Sequence, residues 1–175
     1  MKLRNISKKD FKAIFGQEGY DMVKPYDISV VIVHDETMLT VPGVGAGGGG
    51  VMGYDFGDGK GPVMTMFMSP SAIYEGMTEL ERRSDRAELI VRSYLVHELT
   101  HVKQHDEGRL TAIGKQLYWE GEPVNPPSNM REYTMAPWEI EAFAAQRAYA
   151  TGCSMEQATQ EYLMLIEELL EKQAA

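Results

Sequence analysis

Leu95-Val96-His97-Glu98-Leu99-Thr100-His101-Val102-Lys103-Gln104 is the stretch on which this sequence turns. It belongs to a helical pattern that runs to about Asp106, with Gly108 as the stop. His97 and His101 are four residues apart. On a helix their rings therefore share a face, about 6 Å apart along the axis. Two imidazoles so placed can both reach one zinc ion at about 2.0–2.1 Å. Glu98 is rotated about 100° from His97 and so leans over the same patch without ligating. A general base must sit there to take a proton from a metal-activated water. Ile90, Val91, Tyr94, Leu95 and Val102 share this broad face. The polar trio is therefore expected to be partly buried. Buried polar groups without partners are costly, and a metal would satisfy them.

Zinc held by two histidines needs a further protein ligand and an open position. The chain has four histidines, His34, His97, His101 and His105. His105 lies about 12 Å along the helix from His97 and cannot close on the same ion while the helix stays straight. The next candidates are downstream, in Pro137-Trp138-Glu139-Ile140-Glu141-Ala142. Glu139 and Glu141 point about 200° apart on a helix, so only one can face the metal. Ile140, Ala144, Ala145 and Ala148 cluster around the direction of Glu141, and small alanines permit close helix approach. This reading makes Glu141 the ligand and leaves Glu139 solvated.

His97-Glu98-Leu99-Thr100-His101 resembles the HExxH signature of the zincin superfamily of zinc metallopeptidases. The flanking Leu95-Val96 and Val102-Lys103-Gln104 are similar to bacterial and phage branches of it. The metzincin branch has a glycine three residues after the second histidine and a third histidine three further on. Here those positions are Gln104 and Glu107, so that branch does not fit. The gluzincin branch uses a glutamate on a second helix, often directly before a small residue, and Glu141-Ala142 is similar. Some gluzincins carry an aspartate four residues later that orients a histidine; that position is Ala145 here. The resemblance implies zinc bound by His97, His101 and Glu141, with Glu98 as general base in peptide-bond hydrolysis. Many zincins also use a Tyr or His to stabilise the developing oxyanion. Tyr133, just before the Glu141 helix, is the candidate, with Tyr118 and Arg131 behind it.

The rest of the chain reads as one α+β domain over residues 1–175, with a small mixed or antiparallel sheet before further C-terminal helices. Ser7 and Asp10 have the spacing of a helix cap for a short helix to Phe15. Ile28 to Val33 is a β-branched buried strand. Val51 to Phe56 and Val63 to Met68 flank a turn-rich Gly57 to Pro62, a hairpin pattern. In zincins an edge strand above the active-site helix pairs with an extended substrate, and Val63 to Met68 is the expected one. Helical pattern resumes near Thr78, with a break at Ser84-Asp85. Arg109 to Ala136 reads mainly as loop. Pro137 opens a helix to about Ala150. Ser154 and Gln157 cap a last amphipathic helix, whose Ala158, Tyr162, Leu165, Ile166, Leu169 and Leu170 form a core face.

A formal net charge of -9 argues against nucleic acid and against anionic membrane surfaces as partners, since both attract basic patches. A lone Cys153 excludes an intrachain disulfide scaffold. The charged N-terminus does not resemble a secretory signal, and no apolar run reaches the roughly 18 residues of a membrane span. The expected compartment is the cytoplasm. Gly43-Val44-Gly45-Ala46-Gly47-Gly48 matches GxGxxG but lacks a following helix, so a loop near the cleft is expected instead of a dinucleotide site. Met64, Met66 and Met68 are expected to pack, and His34 and Cys153 to be structural or inert. The expected function is zinc-dependent hydrolysis of a peptide or protein substrate. Two other readings stand beside it: a non-catalytic zinc-binding structural or interaction protein, of viral origin among other sources, and a zinc hydrolase of a non-peptide amide.

Overall fold

The computed structural model describes residues 1–33, 40–41, 45–46, 49–54, 63–84, 86–114 and 116–174. In chain order the elements are β1 (Lys2–Arg4), α1 (Lys8–Val23), β2 (Ile28–Ile32), β3 (Thr40–Val41), β4 (Gly45–Ala46), β5 (Gly49–Tyr54), β6 (Val63–Met68), α2 (Pro70–Gly76), α3 (Glu79–Arg82), α4 (Ala87–Asp106), β7 (Leu110–Ile113), β8 (Gln116–Trp119), β9 (Glu122–Val124), α5 (Met130–Thr134), α6 (Pro137–Thr151) and α7 (Met155–Ala174). The architecture is mixed α+β, with small sheets and the long helices in the C-terminal half.

The main sheet has the order β1-β2-β6-β5. β1, β2 and β6 run parallel, and β5 pairs antiparallel with β6, Val51 opposite Met66. Side chains alternate across a strand, so Ile28, Val30 and Ile32 of β2 and Met64, Met66 and Met68 of β6 all point to one face. There they meet Phe11 and Phe15 of α1 and Val91, Leu95, Leu99 and Val102 of α4 in a single core. Each such side chain taken fully out of water stabilises the fold by about 1.5–3 kcal/mol. The methionines are packing residues, as expected. α4 is thereby pinned across the sheet by one side, and its remaining faces are free to carry the site.

Several expectations are corrected. The hairpin partner at the sheet edge is β5, while Val63–Met68 is an interior strand flanked by β2 and β5. The first helix continues past Phe15 to Val23, because Gly16 at φ 73 lets the chain kink and resume. Its cap is as read: the Asp10 amide donates to Ser7 Oγ at 3.1 Å. Ser69 caps α2, a helix that the sequence reading did not include. Arg109 to Ala136 is no loop. It forms a second, three-stranded antiparallel sheet, β7-β8-β9, followed by α5. Leu110, Ala136 and Trp138 make a small core of their own beneath it.

α6 runs to Thr151, one residue past the expected end at about Ala150, and is closed by Gly152 in the left-handed conformation (φ 75). Of the face expected to be buried on the last helix, Ala158, Tyr162 and Ile166 are covered, whereas Leu165 and Leu169 are exposed. His34 and most of the GxGxxG match lie outside the described residues. Among the described residues no helix is long and apolar enough to cross a membrane.

Candidate metal centre

α4 and α6 bring three ligand atoms to one point. His97 and His101, one turn apart on α4, face each other with Nε2 atoms 3.2 Å apart. Glu139, in the first turn of α6, places Oε2 3.4 Å from His97 Nε2 and Oε1 3.5 Å from His101 Nε2. All three residues are buried, at 5–7% exposure, so no water shell holds them apart. The ligand atoms lie within 4.8 Å of one another, and the group could hold a metal ion.

The third member is Glu139 and not Glu141, as the sequence reading had it. Pro137 at the start of α6 fixes the helix entry. The helix then turns Trp138, Glu139 and Ala142 inward, and Phe143, one turn beyond Glu139, packs its ring against His97 with centroids 4.5 Å apart. Glu141 faces Arg109 instead. The guanidinium grips it with both terminal nitrogens, at 2.7 and 2.9 Å. This fork-to-fork pairing neutralises the carboxylate and holds it away from the histidines.

Glu98 is beside the cluster, 4% exposed, with one carboxylate oxygen lacking any hydrogen-bond partner among the described residues. β5 crosses directly above it. A Cβ on Gly49 would sit 2.6 Å from Glu98 Oε1, so glycine is what allows strand and carboxylate to meet. Burial pushes the Glu98 carboxyl up, the charge of Glu139 adds to this, and the two histidines only partly oppose it. Tyr133, at the end of α5, faces the same space. Burial first, then the charges of Glu139 and Glu98, raise its phenol, so it stays a proton donor. The structure therefore gathers His97, His101, Glu98 and Tyr133 from the expected set, adds Glu139, and leaves Glu141 outside. Arg131 is exposed, and Tyr118 lies in β8.

The electrostatics are those of a site built for positive charge. Burial opposes ionisation of Glu139, yet the neighbouring histidines hold its carboxyl well below the usual range. Burial likewise opposes a charge on His101, but Glu139 and Glu98 push it up to about 9. Besides the Glu98 oxygen, His97 Nδ1 and Glu139 Oε2 are buried without hydrogen bonds among the described residues.

Gln104 is the residue the sequence reading passed over. It is fully buried, and its Oε1 lies 2.8 Å from His101 Nδ1. Its amide nitrogen donates to the Trp138 carbonyl at 3.0 Å and to Glu141 Oε2 at 3.1 Å. It holds His101 Nδ1 from behind, which Phe143, four residues after Glu139, has no polar atom to do. A buried glutamine three residues after His101, on the same helix face, was the available clue.

Fold and site together define an α+β chain with a buried two-histidine, one-glutamate cluster shared between two helices. The chain matches no family model, no curated protein and no solved structure.

Proposed function

We propose that this chain is a zinc-dependent peptidase with a zincin-like arrangement, in which His97, His101 and Glu139 hold the ion. The observation that carries the reading is the convergence of three buried ligand side chains on one point. A tetrahedral ion bound at about 2.0–2.1 Å separates its ligands by about 3.3–3.4 Å. The two Nε2 atoms are 3.2 Å apart, His97 Nε2 is 3.4 Å from Glu139 Oε2, His101 Nε2 is 3.5 Å from the other carboxylate oxygen, and taken one atom per residue the set lies within 4.8 Å. Glu139 Oε2 points the same way, since it makes no hydrogen bond among the described residues and a buried carboxylate oxygen so placed is costly. Zinc favours two imidazoles and a carboxylate over the all-oxygen sets of magnesium or calcium. Bound there, it would acidify water and polarise a carbonyl oxygen.

The protein's own groups supply the rest. Glu98 accepts a proton from the attacking water and delivers it to the amine nitrogen as the C–N bond breaks. Its raised carboxyl range brings it nearer the pH at which it must both take and give a proton. Tyr133 donates a hydrogen bond to the carbonyl oxygen as negative charge grows on it. β5, the edge of the main sheet, offers backbone groups to an extended peptide lying over Glu98. A groove of about 430 Å³ lined by Ile90, Tyr94, Phe143, Tyr162, Leu165 and Ile166 shares Phe143 with the cluster and suits an apolar substrate side chain.

The test is metal analysis with a peptide-library digest. Wild type is expected to carry about one zinc per chain and to cleave, and Glu98→Gln to keep the zinc and lose about 10²–10⁴ in rate. A metal-replete preparation without zinc defeats the proposal. Zinc bound with no cleavage of any peptide would instead assign the ion a structural role.

A further inference from the structure

Gln104 can sit in its pocket in only one orientation. The two groups on its outer side, the Trp138 carbonyl and the Glu141 carboxylate, are acceptors, so the amide nitrogen must face them. Its oxygen then faces His101 Nδ1 at 2.8 Å, and an amide oxygen only accepts. His101 must therefore carry a proton on Nδ1. That leaves Nε2 as the atom free to ligate, and Nε2 is the one that meets His97 and Glu139. Glu141 is in turn fixed by both terminal nitrogens of Arg109. Arg109 is anchored by Glu107 at 2.8 Å and lies over the Trp119 ring. His97 has no such arrangement, for its Nδ1 has no hydrogen-bond partner among the described residues.

We propose that Arg109 and Glu141 are positioning residues that act through Gln104 to fix the tautomer and ring orientation of His101, so that the outer Glu141 tunes the metal without touching it. This rests on reading the cluster as a metal centre. It assigns a task to the glutamate that the sequence alone offers as a ligand. It also makes the β7–β9 sheet, which delivers Arg109 and Trp119, part of the metal-binding apparatus. The two histidines become unequal: His101 is held from behind and His97 is not.

Zinc affinity by chelator competition, measured on wild type, Gln104→Met, Glu141→Ala and the double variant, tests the connection. Gln104→Met is expected to weaken zinc binding about 10- to 100-fold, the usual effect of removing such a partner. Glu141→Ala is expected to weaken it less, with one zinc per chain retained. In the Gln104→Met background, Glu141→Ala should have no further effect on zinc affinity, although it still lowers the thermal midpoint through loss of the Arg109 pair. Effects on affinity that multiply in the double variant overturn the relay, as does unchanged affinity in both single variants.

If Gln104→Met does not fold, imidazole ¹⁵N spectra of zinc-loaded wild type and Glu141→Ala decide. The His101 Nδ1–H signal should shift and exchange faster in the variant while that of His97 stays put. An unmoved His101 signal overturns the proposal. The metal reading fails separately, if wild type binds no zinc or if Glu139→Ala binds it as tightly as wild type.

Discussion

Replacing Gly49 with alanine adds one methyl group directly over the Glu98 carboxylate. The new Cβ would lie 2.6 Å from Oε1 and 2.8 Å from both Cδ and Cγ. Carbon contacts are comfortable only beyond about 3.5 Å, so the carboxylate must retreat by roughly 0.7–0.9 Å. It can do so, because it ends a side chain and is tied by no more than part of its hydrogen-bonding capacity. The backbone at Gly49 is not in the left-handed region, so alanine strains nothing there. The cost should therefore fall on catalysis and not on folding. Displacing a catalytic group by about 1 Å costs on the order of 10²-fold in rate, or about 2.7 kcal/mol of transition-state stabilisation. The assay is kcat/KM on a cleaved peptide, beside zinc content and thermal midpoint. Gly49→Ala should lose about a hundredfold in kcat/KM with one zinc still bound and the midpoint within a few degrees. Gly50→Ala is the control, since a Cβ there meets nothing within 4 Å, and it should be near neutral. Gly49→Ala with wild-type kcat/KM would refute the placing of Glu98 as the base beneath β5.

Tyr133→Phe should lower kcat by about 10²–10³-fold while zinc affinity stays within a few-fold, as expected for a donor that serves only the transition state; equal kcat in the variant removes Tyr133 from the chemistry. Zinc affinity should fall as pH is lowered from about 9, where His101 titrates in the metal-free protein. Zinc then displaces a proton from its ligand, and the apparent Kd should weaken about tenfold per pH unit; a flat profile between pH 6 and 8 would contradict this. The metal-free protein has the opposite trend. His101 is raised above its unfolded value of about 6.5, so its pairing with Glu139 stabilises fully below that pH and is lost as pH rises towards 9. Thermal midpoints in chelator should thus decline from pH 6 to pH 9.

The α4 half of the site was legible because its information is local. Spacing of four on one helix fixes the relation of His97 to His101 wherever the helix is placed, and Val91, Leu95 and Val102 show which side is buried. The choice between Glu139 and Glu141 was not legible in the same way. α6 is packed between α4 and α7, so small and apolar residues occur on more than one of its faces, and alanine content does not single out the side facing the two histidines. What decides it is Arg109, thirty-two residues away in sequence, which claims Glu141. The second sheet was missed because β7–β9 are three or four residues each, joined by tight turns at Gly114 and Gly121, and their glycines and prolines read as loop. Identifying the edge strand required the parallel pairing of β2 with β6, a contact between distant segments that no hairpin pattern contains.

The division of ligands between α4 and α6 has a mechanical consequence. An ion held by His101 and Glu139 would tie together two points 38 positions apart, as a covalent cross-link does. With a single cysteine the chain has no disulfide with which to do this. By the relation used for disulfides, a loop of about that size removes unfolded-state entropy worth about 4 kcal/mol. Chelation would then unfasten α6 and α7 from the sheet-bound α4. The strap from Asn125 to Asn129, between β9 and α5, becomes the place where a protease should first cut.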